Sequence, residues 1–243
     1  MGIFSFFSPS PEKRIQSLRK KIQERYGQPE GRQQAIDKLL DMGTPEAIGA
    51  LLSRFTVNVE PSITDAEEKE YLFKSIVEMG DKAVPPIEAF LKRSDDAASW
   101  AIRLLSQLIS EEALVALCIE VLERIGPDYA RDPEKKQVLL CTLAKKEGSA
   151  IPAAIVPFLK DPSDEVRIEA AYALAKHNDE ASSREPLLDA FVDSTDRNRV
   201  IAAITNALVE TGFGVQGYRE KIEQGLPAGF AVNREGKVTK QSS

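Results

Sequence analysis

His177 is the only histidine in the chain of 243 residues, and Cys118 and Cys141 are its only cysteines. Any Ser-His-Asp or Cys-His nucleophilic arrangement would have to run through that one imidazole. His177 falls on the apolar side of a helix end, which assigns it a structural role. Two cysteines and one histidine spread over separate segments have no zinc-ligand spacing. No Walker-type phosphate loop and no Gly-x-Gly-x-x-Gly loop is present. Adjacent carboxylates occur as Asp95-Asp96 and Glu111-Glu112. Neighbours on a helix point about 100° apart, so these pairs do not face one substrate as acid and base. They suit helix starts, where the dipole favours negative charge. The expectation is a chain that is not an enzyme and uses no cofactor and no metal.

The residues that remain bind rather than react. Residues 1–32 hold seven Lys or Arg against three acids, a net of +4, whereas the other 211 hold 25 against 35, a net of −10. Phe4, Phe6 and Phe7 precede a helix that runs from Pro11 to Tyr26. Ile15, Leu18, Ile22 and Tyr26 line one face of it, and Lys13, Arg14, Lys20 and Lys21 crowd the others. Two readings stand side by side. The helix caps the folded body and the phenylalanines tuck onto it, or the segment is a peg for an anionic surface or partner. Further candidates for contact with a partner are Arg54, Lys92 and Arg93, at the ends of later helices, and Trp100. As the only tryptophan, Trp100 reads either as a core residue or as a ligand platform.

The elements that must position these residues follow a repeat. The stretch Asp161–Asn178 places Val166, Ala170, Ala173, Leu174 and His177 on one helical stripe, with Asp164 and Glu165 in its first turn. Pro162 is expected at the first helical position and Asn178 at a left-handed end. A second helix carries Leu187, Leu188, Phe191 and Val192. The unit recurs along the chain: an apolar residue precedes a helix-ending Gly or Asn at Leu39/Gly43, Ile76/Gly80, Leu174/Asn178 and Leu208/Gly212. The second helices end alike, as in Ala50-Leu51-Leu52-Ser53-Arg54 and Ala89-Phe90-Leu91-Lys92-Arg93. Two short helices cannot bury such faces alone, so neighbours must stack on them.

Ala150-Ile151-Pro152-Ala153-Ala154 running into Phe158-Leu159-Lys160-Asp161-Pro162-Ser163-Asp164-Glu165-Val166-Arg167, then Ala170-Ala171-Tyr172-Ala173-Leu174, resembles the short bacterial HEAT-like repeat of the phycobilisome-lyase type. Ala83-Val84-Pro85-Pro86-Ile87 is a weaker copy of its second helix. The resemblance covers most of residues 29–212. It implies an all-α fold, an α-solenoid of five to six HEAT-like helical pairs, and it implies that Arg167 bonds to Asp161 or Asp164 as part of a structural ladder. A tetratricopeptide array has a similar period, but its Trp-x-x-Leu-Gly-x-x-Tyr pattern is absent.

Three regions follow: residues 1–27 as an apolar segment and basic capping helix, 28–212 as the repeats, and 213–243 as a short helix with a hairpin or extended tail. Thr44 and Pro45 should start one helix and Pro85-Pro86 should lie in the first turn of another. Residues 56–64 should form a loop, and Phe230–Thr239 reads as two strands about a Gly-containing turn. With 42% apolar and 29% charged residues the chain folds. It has no apolar run of about 20 residues to cross a membrane. Residues 1–7 make a poor signal peptide, and the cysteines read as free buried thiols. The expected location is a bacterial cytoplasm. The expected function is a non-enzymatic scaffold or adaptor whose helical surface holds another protein, with a membrane contact through residues 1–26 as a lesser reading. The resemblance also admits a tetrapyrrole lyase or chaperone-like subunit and a DNA glycosylase. The net of −10 in the repeat region disfavours nucleic acid.

Overall fold

The computed structural model describes residues 10–241. Phe4, Phe6 and Phe7 therefore lie outside the described residues. The chain is 70% helix, with a two-stranded sheet as its other regular element, which makes it all-α. It divides into two compact units, the first ending at Ser110 and the second beginning at Glu111. The division falls inside the span read as repeats.

The first unit contains α1 (Pro11–Ile22), α2 (Pro29–Met42), α3 (Pro45–Leu52), α4 (Ser62–Glu78), α5 (Val84–Arg93) and α6 (Ala98–Leu108). Here α2, α4 and α6 pack side by side in order, α3 packs on α5, and α1 closes over α2 and α3. Ile15 and Ile22 of α1 are buried there, with Leu39, Leu51, Leu72, Ile76, Ile87 and Leu105. Of the face read from sequence, Ile15 and Ile22 pack inward and Leu18 is half-buried, whereas Tyr26 lies past the end of α1 at Ile22 and is exposed.

The second unit contains α7 (Glu111–Ile125), α8 (Glu134–Leu143), α9 (Ile151–Ile155, extended by a 3-10 turn to Lys160), α10 (Asp164–His177), α11 (Glu180–Val192), α12 (Asn198–Thr211) and α13 (Arg219–Gly225), then β1 (Phe230–Val232) and β2 (Val238–Lys240). Helices α8, α10 and α12 form one row, and α7, α9, α11 and α13 form another. The strands pair antiparallel with Val232 opposite Val238. A lone hairpin is marginal in water. This one lies against α12 and α13, with Val215, Ile222 and Val238 buried.

Helix ends follow the local chemistry. Gly43, Gly212 and Asn178 sit in the left-handed region, at φ 56°, 67° and 50°, and close α2, α12 and α10. Thr44 caps α3 through the Ala47 N–H, with Pro45 next. Pro85 and Pro86 stand in the first turn of α5. Pro162 does not open α10. The Ser163 hydroxyl accepts from the Val166 N–H and starts the helix at Asp164, while the Asp161 carboxylate accepts from the Ser163 N–H. A side-chain cap outranks the proline signal. The expected 56–64 loop is also shorter, because a 3-10 turn runs to Thr56 and α4 begins at Ser62.

Side-chain bonds recur at one separation. Tyr71 reaches Asp37, His177 meets the Leu143 carbonyl, Lys176 pairs with Glu210 and Arg199 with Glu165, each 34 residues apart. His177 is half-buried and its bond ties α10 to the end of α8, the structural role read from its position. Both cysteines are free thiols; Cys118 is buried, Cys141 half-buried.

Candidate functional site

The first unit carries a groove of about 790 Å³ along α1, α3 and α5. Its lining comes from Ile15, Gln16 and Arg19 of α1 and from small residues of α3 and α5. Gly49 of α3 has open space where a side chain would project. Ala50 and Ala89 add little bulk, and Phe90 supplies an apolar floor. Gln16 and Arg19 of α1 and Arg93 at the end of α5 stand at its edges with Glu46 and Asp96. Both signs of charge and an apolar floor suit a peptide segment, which carries apolar side chains and backbone polar groups together. Small-residue-then-large-apolar endings of the second helices were legible in sequence. Gly49 itself was the missed signal: glycine inside a helix costs about 1 kcal/mol against alanine and calls for a reason.

Of the expected contact residues, Arg93 lines this groove and is exposed. Lys92 beside it is half-buried and outside the groove. Lys13, Arg14, Lys20 and Lys21 are all exposed on α1; Lys13 and Lys20 flank a shallow depression with Gln16 and Ser17.

Arg54 is a correction. It is 0% exposed and cannot meet a partner. Its Nε and Nη2 donate to Glu68 at 3.0 and 2.9 Å, Nη2 also to Asp65 at 2.7 Å, and Nη1 to the Val57 carbonyl at 3.0 Å. Arg32, also buried, donates to the same Glu68 at 2.8 Å and to the Gly27 carbonyl at 2.5 Å. Lys69 completes the network at 2.7 Å from Asp65 and 2.7 Å from the Asn58 amide oxygen. Buried charges need such partners. The network holds the 57–61 loop by Val57, Asn58 and the Val59 N–H, which donates to Asp65 at 3.0 Å. Burial works to raise the Asp65 carboxyl, but bonds from Lys69, Arg54 and the Val59 N–H outweigh it and hold it below the ordinary carboxylate value.

Trp100 is half-buried. Phe55 stacks on it at 4.7 Å between centroids, and the Arg103 guanidinium lies 4.5 Å from the indole centroid and 4.9 Å from that of Phe73. Phe55, Phe73 and Arg103 of the same unit thus pack around the indole.

In the second unit the ladder differs in its partners. Arg167 Nε donates to the Asp161 carbonyl at 2.6 Å and Nη1 to the Ser194 hydroxyl at 3.4 Å. The Asp161 carboxylate instead receives Lys136 at 2.7 Å, both 2% exposed, and Asp164 pairs with Arg197. Arg167 bonds to Asp161 through the backbone because Lys136 already occupies the acid. A second cavity of about 660 Å³ lies between the end of α11, α12 and α13, floored by Phe191, Ile201 and Leu226. Among the described residues no group of three His, Cys, Asp or Glu is placed to hold a metal ion, and no helix is long and apolar enough to cross a membrane.

Compared with known proteins, the chain matches no family model, no curated protein and no solved structure.

Proposed function

We propose that this chain is a non-enzymatic scaffold or adaptor, built of HEAT-like helical pairs, that holds a segment of another protein along the groove of α1, α3 and α5. The observation that carries this reading is the groove itself, about 790 Å³ with an apolar floor and charged edges of both signs. It lies on the side of the second helices α3 and α5. Row-wise packing within each unit and bonds spanning 34 residues support the repeat. Arg19 and Arg93 fix polar groups of the bound segment, and Phe90 receives one of its apolar side chains.

Site-specific photo-crosslinking in an extract of the native host tests it. A photoreactive residue at Ala89 or Gln16, inside the groove, is compared with one at Lys74, exposed on α4. The groove positions should give the same discrete adduct and Lys74 should not. Identical adduct patterns from all three positions would remove the groove as the binding site.

A further inference from the structure

The cleft of about 660 Å³ between the end of α11, α12 and α13 sorts its lining by depth. Phe191 and Ile201 are buried, Val192, Ala202, Leu226 and Pro227 are half-buried, and all six are apolar. The exposed lining residues, Thr195, Asn198, Lys221 and Gln224, are all polar. Gly225 makes this arrangement possible. A Cβ there would stand 2.8 Å from the Phe191 ring, well inside carbon–carbon contact distance. Only glycine lets the end of α13 lie against that ring and bring up Leu226 and Pro227 as a wall.

An apolar interior with a few polar groups at the mouth is the build of a small-molecule site, and the volume falls in the range for one. A peptide segment would carry backbone N–H and C=O groups into the interior, where the apolar walls offer them no partner. A ligand with an apolar body and one polar end leaves no such group unmet. The charge at the mouth selects that polar end. Lys221 is the one ionic residue of the lining, which holds no Asp or Glu; the groove of the first unit, by contrast, includes Glu12, Glu46 and Asp96. Among the described residues Lys221 forms no ion pair. Glu220 and Glu223, close to it in α13, bond instead to Gln224 and Arg219. One cation balances one negative charge, which suits a carboxylate; a phosphate monoester, near −2, would be left half-compensated.

We propose that this cleft binds a small carboxylate amphiphile of the medium-chain fatty-acid class. Its chain lies on Phe191, Ile201 and Leu226, and its carboxylate meets Lys221 with Thr195 and Asn198 beside it. The site lies within the second unit and does not rest on the scaffold reading.

Isothermal titration calorimetry of the full chain with three probes of equal chain length tests it: decanoate, decanol and decylamine share the apolar body and differ in the charge of the head. Decanoate should bind saturably, decanol about fivefold more weakly, and decylamine more weakly still. Lys221→Gln should remove the preference for decanoate over decanol and leave the melting temperature within error, since the lysine pairs with nothing among the described residues. Ala202→Trp should fill the cleft and abolish binding of both. If Ala202→Trp fails to fold, Lys221→Gln, at an exposed position, decides alone. No saturable binding of decanoate, equal affinity for the three probes, a decanoate preference that survives Lys221→Gln, or decanoate binding unchanged in a folded Ala202→Trp chain would overturn the proposal.

Discussion

At Arg54 one guanidinium serves two carboxylates and a loop carbonyl with almost no solvent access. Replacing it with methionine keeps much of the volume and strands Asp65 and Glu68 on their remaining partners. The expected loss is about 3–5 kcal/mol, the range for breaking a buried ionic network by removing one member, and urea denaturation measures it. In sequence Arg54 looked like a helix-end cation because its partner Glu68 lies beyond an insertion whose register no repeat pattern predicts. Asp65 gives this network a pH dependence. Its folded value lies below the unfolded one. The stability it contributes is therefore present above the ordinary carboxylate range, near pH 4, and lost as the pH falls through the folded value. Asp65→Asn should lower stability at pH 7 and flatten the acid limb of the stability curve. Cys118 runs the other way. Burial pushes its thiol from 9.0 up to about 12, so its contribution holds below the unfolded value and is lost as the pH rises through the folded one. At pH 8 a thiol reagent should modify half-buried Cys141 first and Cys118 at the rate of opening of its unit.

Among the elements, α10 shows what pattern alone can resolve. Its stripe of Val166, Ala170, Ala173 and Leu174 is fully buried because α8 and α12 pack on either side. Small residues let those neighbours come close, so Ala173→Leu should overpack the contact and cost about 1–3 kcal/mol, read as a lowered melting temperature. Its left-handed end at Asn178 was legible, since few residue types tolerate that conformation. Its start was not, because Pro162 and Ser163 give competing signals and only the hydrogen bond to Val166 decides between them. Ala97, before α6, was illegible for the opposite reason: an alanine at φ 57° contradicts its own preference. Ala97→Gly should relieve that strain and raise stability by up to about 1 kcal/mol in chemical denaturation, the left-handed penalty less the entropy cost of glycine.

Taken whole, the molecule separates its charges by depth and by place. Buried cations (Arg32, Arg54, Lys136) each meet an acid. The exposed cations of α1 meet none among the described residues, and the groove beside them carries both signs. Composition revealed the basic bias of residues 1–32 because charge sums without regard to folding. The groove was hidden, since it depends on α1, α3 and α5 converging in space, which no local pattern records. Gly49→Trp tests the proposed role most directly. Nothing lies within 4 Å of where its Cβ would stand, the position faces the groove, and glycine is a poor helix former, so the variant should keep its melting temperature while filling the groove. Tagged wild-type and variant chains are recovered from the native host and their bound proteins quantified by mass spectrometry. The account predicts that the protein crosslinked from Ala89 and Gln16 accompanies the wild type and is absent from Gly49→Trp. Its equal recovery with a stably folded Gly49→Trp chain would contradict the account.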